Sequence, residues 1–261
     1  MKSRLKCLLA VMRVNFAARM AYRGDFFISL AIMLTGDMLL PLVTLLVYRT
    51  GASFPGWELH EAILIQAVFT LAKGVAFPFF FGIIWTTLDR VREGTFDLML
   101  IKPRSPLFIS MINGLDIDDF GRLASGGVLF GYALAVMPEK PDAPAWLQFA
   151  LLFACALVVL FAVSLLLSGL LFKWVGSSRV YDMFDALTMF GQYPGTLFSK
   201  GFLNLLLYVL PIAMLGFLPA SALLGRLDGS AWLSALVCVA LAVLSWGYWH
   251  GMLKQYTSAG G

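Results

Sequence analysis

The sequence predicts an all-α integral membrane protein with six membrane-spanning helices. Of the 261 residues, 60% are hydrophobic and only 13% are charged, and the mean hydropathy is +0.85. Soluble domains are about half apolar and about a quarter charged. In addition, apolar stretches recur that could cross a ~30 Å hydrocarbon core, which takes about 20 helical residues. We therefore treat residues 1–261 as a single transmembrane domain.

Residues 1–24 predict a helix that lies at the membrane surface. Its apolar and basic residues recur on opposite faces: Leu5, Leu9, Met12, Phe16 and Met20 against Lys2, Lys6, Arg13 and Arg19. A basic amphipathic helix of this kind binds an anionic leaflet. An ordinary basic cytoplasmic tail is the alternative. The arginines interrupt the apolar core that a signal peptide requires.

The six expected spans are 26–48, 61–87, 107–137, 146–173, 178–198 and 230–253. Lys and Arg are concentrated before the first span, between the second and third, and after the fourth. Cytoplasmic loops carry this excess. Both termini are therefore expected in the cytoplasm, which requires an even number of spans.

The segment 199–226 is apolar, but Pro211, Gly216 and Pro219 interrupt it. With its two neighbouring spans both ending outside, it must enter and leave on one face. A re-entrant pair of short helices satisfies this, provided that protein covers the exposed backbone. The alternative is a seventh span at 202–224, which would place the C-terminus outside.

Two charges lie in the middle of expected spans, Asp37 in the first and Lys73 in the second. Such charges are costly, and each is therefore a candidate functional residue. Because the two spans are adjacent and antiparallel, a direct Asp37–Lys73 pair is expected. A structural role in the bundle, contact with an aqueous cavity, and a substrate or proton role remain open.

A cluster of charges begins the third span: Asp116, Asp118, Asp119 and Arg122. We interpret it as a salt-bridged helix entrance, with metal binding as the alternative. Two small-residue motifs, Gly127-xxx-Gly131 and Gly247-xxx-Gly251, permit close helix contact. The cysteines suggest no disulfide framework, and neither a metal site nor a nucleophile–base constellation is evident.

The stretch 88–106, LDRVREGTFDLMLIKPRSP, is unusually charged for a turn between two spans. It predicts a short amphipathic helix, ended by Gly94, then an apolar run stopped by Pro103. The distribution of charge places it in the cytoplasm. Such an element can offer one face to a cytosolic partner, although a solvated loop without a partner is the alternative.

Four motifs carry a resemblance to a known family: REGTFDLMLIKPRSP at 92–106, QYPGTLF at 192–198, VLPIAMLGFLPASALLGR at 209–226 and YTSAGG at 256–261. In this order the chain resembles the permease subunits of ABC type-2 exporters. It is most similar to the short permeases of uncharacterised ABC-type transport systems, which have about the length of this chain. The resemblance covers essentially all of it.

The resemblance implies half of a translocation path, paired with an identical or related permease and driven by a dimer of separate ATPase subunits. Segment 88–104 would include the coupling helix that contacts the ATPase, with Leu88, Arg90, Arg92, Glu93, Gly94, Phe96, Asp97 and Leu98 as its site residues. Segment 199–226 would form an outer gate, with Tyr193, Pro194, Pro211 and Pro219. The implied location is the bacterial inner membrane.

No G-x-x-x-x-G-K-[ST] motif occurs in the sequence. The chain is therefore expected to be no enzyme: ATP and magnesium would bind the partner ATPase, and no cofactor or nucleic acid would bind here. The alternative is an ion- or proton-coupled secondary transporter that uses Asp37 and Lys73; an embedded enzyme or scaffold is a third interpretation. The composition favours lipids, lipid-linked molecules, amphipathic drugs or peptides as substrates.

Overall fold

The computed structural model describes residues 2–174 and 179–257, with side chains from residue 9 onward, and their regular structure is helical throughout. The α-helices in these ranges are α1 (Lys2–Ala21), α2 (Arg23–Arg49), α3 (Leu59–Ala76), α4 (Gly82–Arg92), α5 (Asp97–Leu100), α6 (Pro106–Asn113), α7 (Phe120–Val136), α8 (Ala143–Leu171), α9 (Val180–Thr188), α10 (Lys200–Tyr208), α11 (Phe217–Leu223) and α12 (Gly229–Leu253).

Among the described residues, four helices are long and apolar enough to cross a membrane: α2, the continuous helix Leu59–Arg92, α8 and α12. Helix α7 is apolar but shorter, at 17 residues. The all-α membrane class is thereby confirmed. The count of six spans stays a prediction.

The expected third span, 107–137, is not one helix. Helix α6 ends at Asn113, and α7 begins at Phe120. Between them the Asp116 carboxylate accepts a hydrogen bond from the backbone N–H of Asp118 at 3.0 Å. A short acidic side chain that bonds a nearby backbone group in this way competes with helical hydrogen bonding, which explains the break.

The long helix Leu59–Arg92 occupies the interior and packs against α2, α7, α8 and α11. It contains one turn of π-helix at Phe77–Phe81. Pro78 causes this local widening, since proline lacks an N–H and its ring clashes with the carbonyl four residues before it. The helix begins with a capping box in which Glu58 N–H donates to the Glu61 carboxylate at 2.8 Å.

Helices α3 and α7 approach each other so closely that their backbones touch. A Cβ added to Gly126 would lie 2.6 Å from the Leu71 nitrogen, and one added to Gly74 would lie 2.6 Å from the Leu123 Cα. The four glycines of the two predicted contact motifs, at 127, 131, 247 and 251, instead meet open space. Their expected close contacts are therefore not made within the described chain.

The expected fifth span, 178–198, forms a continuous α-helix only over Val180–Thr188. Residue 178 lies outside the described residues. Two 3-10 turns follow, Met189–Gln192 and Gly195–Leu197, because Pro194 cannot donate a helical hydrogen bond. Tyr181 contacts Phe81 in the long helix, and Tyr193 contacts Phe54 in the loop that precedes this helix.

Segment 199–226 folds into two short helices, α10 and α11, joined by a 3-10 turn at Ile212–Leu215. Its last residue, and a residue shortly before its start, lie beside the loop between α2 and α3. The Thr196 hydroxyl donates to the Pro55 carbonyl at 3.0 Å, and the Arg226 guanidinium donates to the Gly56 carbonyl at 3.1 Å. Gly225, with φ of +64°, makes the turn that ends α11.

Candidate functional site

The two intramembrane charges do not pair with each other. Lys73 Nζ lies 2.7 Å from Asp185 Oδ1, and Asp37 Oδ2 lies 3.6 Å from Arg122 Nε. Asp37 also accepts a hydrogen bond from the Ser125 hydroxyl at 2.9 Å. The expected direct Asp37–Lys73 pair is therefore wrong. Helix α7 supplies Arg122 and Ser125 to Asp37, while α9 carries the partner of Lys73.

Aromatic rings surround the two cations of this cluster. Lys73 Nζ lies 4.9 Å from the centre of the Phe77 ring, and the Arg122 guanidinium lies 4.5 Å from the same centre. Such cation–π contacts stabilise a charge that has lost its water. A cavity of about 450 Å³, the central cavity, is bordered by Asp37, Lys73, Arg122 and Asp185. It can hold a polar group within an apolar bundle.

A second set of charges lies where α1 meets the break between α6 and α7. The Arg19 guanidinium lies 2.8 Å from Asp118 and 3.6 Å from Asp116. The side-chain amide of Asn15 donates to the Leu115 carbonyl at 3.0 Å. These contacts fit a salt-bridged helix entrance. Within 2–174 and 179–257, no group of three His, Cys, Asp or Glu residues has a metal-binding arrangement.

Next to this entrance lies a cavity of about 530 Å³, the aromatic cavity. Its walls include Phe77, Phe81, Trp85 and Tyr181, together with Asp119. Arg122 borders both this cavity and the central cavity, so the two are neighbours on either side of one guanidinium. Residues of α1, α2, α7 and α9 line the two cavities, whose walls contain both polar and aromatic side chains.

The predicted coupling segment has no separate helix at 88–98. Residues 88–92 are the last turn of α4, and a one-turn helix, α5, follows at Asp97–Leu100. Gly94, with φ of +67°, reverses the chain between them. The carbonyl of Arg90 accepts hydrogen bonds from the N–H groups of Thr95 at 2.9 Å and Phe96 at 3.1 Å. The turn is therefore hydrogen-bonded to the end of the long helix.

The eight residues expected to contact an ATPase divide by exposure. Leu88 and Phe96 are buried, whereas Arg92, Glu93 and Leu98 are exposed. The other three, Arg90, Gly94 and Asp97, are half-buried.

Phe96 anchors this turn to two other parts of the chain. Its ring centre lies 5.0 Å from that of Phe172, just after α8, and 5.2 Å from that of Tyr256, just after α12. Phe172 in turn contacts Trp249 in α12. Of the terminal motif 256–261, only Tyr256 and Thr257 lie within the described residues. The exposed turn is thus joined to the ends of three long helices.

The residues expected at an outer gate lie at the opposite end of the long helix. Tyr193 packs against Phe54 with ring centres 6.4 Å apart, and Pro194, Pro211 and Pro219 are buried. Arg226 fixes the end of the segment, because its guanidinium lies 2.7 Å from the buried Glu61 carboxylate. Its position over the Trp57 ring, at 5.1 Å, adds a cation–π contact.

Neither the pairing of Lys73 with Asp185 nor that of Arg122 with Asp37 was predicted from the sequence. A signal was present for Asp185, since it lies three residues after Asp182 in an otherwise apolar stretch. The aromatic wall was also missed. Its signal was the run of phenylalanines around Pro78, FPFFF at Phe77–Phe81.

Comparison with protein families matches residues 31–260 to the model described as "ABC-2 family transporter protein". The comparisons with curated proteins and with solved structures find no match. The family match covers all the candidate spans except the start of α2, and it includes both cavities apart from α1. This chain belongs to the ABC-2 family of transporter proteins.

Proposed function

We propose that this chain is the transmembrane subunit of an ATP-driven exporter and forms half of its translocation path. Membership of the ABC-2 family supports a membrane subunit of an ABC transporter. The observation that carries the proposal further is the turn at 92–98. It presents charged and apolar side chains outward while Phe96 is fully buried beneath it. ATP and magnesium would bind a separate dimer of ATPase subunits.

The proposed coupling contact divides the work between exposed and buried residues. Arg92, Glu93 and Leu98 would touch the ATPase, because they are accessible. Phe96 would transmit the displacement, because it packs against Phe172 and Tyr256 at the ends of other helices. Tightly packed interiors transmit strain instead of absorbing it, so movement of the turn would reach α8 and α12.

A second permease, identical or related, would complete the path. Helix α2 exposes a long apolar face within this subunit, while its Asp37 borders the central cavity. Cavities at such an edge would be closed by the second subunit. Lipid would cover the remaining apolar surface. The apolar character of the path favours an amphipathic substrate, and the direction of transport would be outward.

We also propose that segment 199–226 is re-entrant and gates the outer end of the path. Thr196, three residues before its start, and Arg226, its last residue, both contact the loop between α2 and α3. The α10–α11 hairpin would then leave both neighbouring spans ending outside. With α1 at the inner surface, both termini would lie in the cytoplasm of a bacterial inner membrane, as the positive-inside distribution favours.

The test reconstitutes the permease with its candidate ATP-binding subunit and compares Arg92→Glu with Arg49→Glu. Both arginines are exposed, but they lie at opposite ends of the proposed spans. We expect Arg92→Glu to weaken association with the ATPase about tenfold, as reversal of a charge at an interface does. Arg49→Glu should leave the dissociation constant unchanged. Binding would be measured by surface plasmon resonance, and ATP hydrolysis in proteoliposomes.

Two results would contradict this function. One is unchanged association and ATPase stimulation in Arg92→Glu. The other is transport in vesicles that lack any ATPase, driven by a proton gradient, which would favour the secondary transporter. That alternative needs Asp37 or Lys73 to exchange partners during transport, and both are paired in this structure.

A further inference from the structure

The aromatic cavity has three rings in mutual contact on one wall. The ring centres of Phe81 and Tyr181 are 5.1 Å apart, those of Trp85 and Tyr181 are 6.0 Å apart, and those of Phe81 and Trp85 are 6.4 Å apart. Trp85 is 44% exposed and Tyr181 is half-buried, so the rings are not fully covered by the chain's own core. Aromatic rings that line a cavity can bind an organic cation over their faces.

Asp119 borders the same cavity and is the acid without a partner there. Only 9% of its surface is exposed. Within the described residues, its carboxylate has neither a hydrogen bond nor an ion pair within 4.0 Å, whereas the other charges on the cavity wall are engaged. Arg19 lies against Asp116 and Asp118, and Arg122 lies against Asp37. A buried carboxylate left unpaired is costly, and a cationic ligand would remove that cost.

The acid nevertheless carries its charge near neutral pH. Asp119 lies in the break before α7. Burial raises its pKa to about 6, and the Arg122 guanidinium opposes that rise. At pH 7.5 the carboxylate is therefore mostly ionised. The cavity thus combines an available anion with a wall of aromatic rings.

We propose that the aromatic cavity binds the transported substrate, and that this substrate is an organic cation: an amine, quaternary ammonium or phosphonium group on an aromatic or apolar body. The proposal rests on the proposed function and names its substrate class. Asp119 neutralises the positive charge, while Phe81, Trp85 and Tyr181 contact the body of the ligand. At about 530 Å³, the cavity is in the size range of sites for drug-sized ligands.

The test measures tetraphenylphosphonium binding to the purified permease in neutral detergent at pH 7.5 by equilibrium dialysis, without any ATPase. Asp119→Asn and Trp85→Ala should each weaken binding about tenfold, in line with the loss of one desolvated charge or cation–π contact. The matched controls are Glu139→Gln and Trp232→Ala. Trp232 is 44% exposed, as Trp85 is, and lies in α12. Both controls should bind as the unaltered protein does.

Tetraphenylborate provides a probe of the same shape and opposite charge, and it should bind at least tenfold more weakly by the same charge argument. The proposal is overturned if the folded permease does not bind tetraphenylphosphonium, if tetraphenylborate binds equally well, or if Asp119→Asn binds normally. Size-exclusion chromatography checks folding, which the loss of an unpaired buried charge should not impair. The binding assay contains no ATPase. Its outcome therefore does not depend on whether the Arg92→Glu experiment supports coupling to an ATPase, and the two proposals can fail separately.

Discussion

Helix α2 and the long helix Leu59–Arg92 are both apolar enough to cross a membrane, but they occupy opposite environments. In the most apolar part of α2, 11% is buried, against 78% in the long helix. Lipid tails are as apolar as leucine, so hydropathy alone does not separate a peripheral helix from a central one. What distinguishes the central helix is its small and polar residues, among them Gln66, Lys73 and Gly74, which require neighbours.

Helix α2 also carries polar residues that require neighbours, but only on one narrow face. Asp37 and Thr44 point toward the bundle, where α7 and α3 supply partners. The apolar residues that remain exposed on α2 include Ile28, Ile32, Leu39, Leu42 and Leu46. A polar side chain within a span therefore identifies the face that contacts protein, and the number of such residues indicates how central the helix is. This comparison can be tested by perturbing each kind of contact in turn.

The largest effect is expected where backbones touch. Gly126→Ala would put a Cβ 2.6 Å from the Leu71 nitrogen in the central helix, whereas Gly127→Ala would put one in open space. We expect Gly126→Ala to destabilise the protein by about 1–3 kcal/mol, since overpacking forces backbone shifts. Gly127→Ala should be neutral or slightly stabilising, because alanine favours helices. Unfolding by SDS in mixed micelles measures both.

Equal effects of these neighbouring substitutions would contradict the close α3–α7 contact. A destabilised Gly127→Ala would mean that its face is covered by protein, as the small-residue motif at 127 and 131 had suggested.

A smaller effect is expected from the charges. In double-mutant cycles, Lys73→Met with Asp185→Asn should give a coupling energy of about 1–2 kcal/mol, the range for charges in contact. The value stays modest because the Asp185 side chain is 43% exposed. Lys73→Met with Asp37→Asn should couple more weakly, since these two charges have other partners. The same SDS titration gives all of the free energies of unfolding.

If the Asp37–Lys73 cycle instead gave the larger coupling, the pairing expected from the sequence would be restored. The cycle also bears on mechanism. A Lys73–Asp185 coupling that disappears when the ATPase is present would indicate that the pair separates during transport.

The sequence predicted the helices that follow from composition. It did not predict the features that depend on which side chains hydrogen-bond or pair with one another in the fold. Leu59–Arg92 and Ala143–Leu171 follow from apolar runs, and the ABC-2 family follows from motif order. The break between α6 and α7 depends on how the 116–118 side chains bond locally, which span counting ignores. The Lys73–Asp185 contact joins residues 112 positions apart. No periodicity reports such a contact, because it arises only when α9 is set against the long helix.

The candidate functional residues show the same division. The exposed Arg92 and Glu93 could be selected from charge alone. The burial of Phe96 could not be predicted from the sequence, because it depends on contacts with Phe172 and Tyr256 in two other parts of the chain. Asp119 was visible as one acid of a cluster. Its lack of a partner emerges only when Arg19 and Arg122 are seen to be engaged elsewhere.

The smallest effect is expected at the one polar contact that links the two compared helices directly in the described chain. The Gln66 side-chain amide in α3 donates to the Thr44 hydroxyl in α2 at 2.7 Å, and both residues are buried. Thr44→Val keeps the shape of the side chain but leaves that donor unsatisfied, which should cost about 1 kcal/mol.

Thr35→Val is the matched control for this contact. The Thr35 hydroxyl donates to the Ala31 carbonyl of its own helix at 2.8 Å and is exposed, so its loss should leave the free energy of unfolding unchanged. Thermal unfolding followed by circular dichroism, together with the SDS titration, compares the two variants. If Thr44→Val were as neutral as Thr35→Val, the Gln66–Thr44 hydrogen bond would not stabilise the packing of α2 against α3. The packing of α2 would then depend on a second subunit, and repeating the measurement on the assembled transporter would test this.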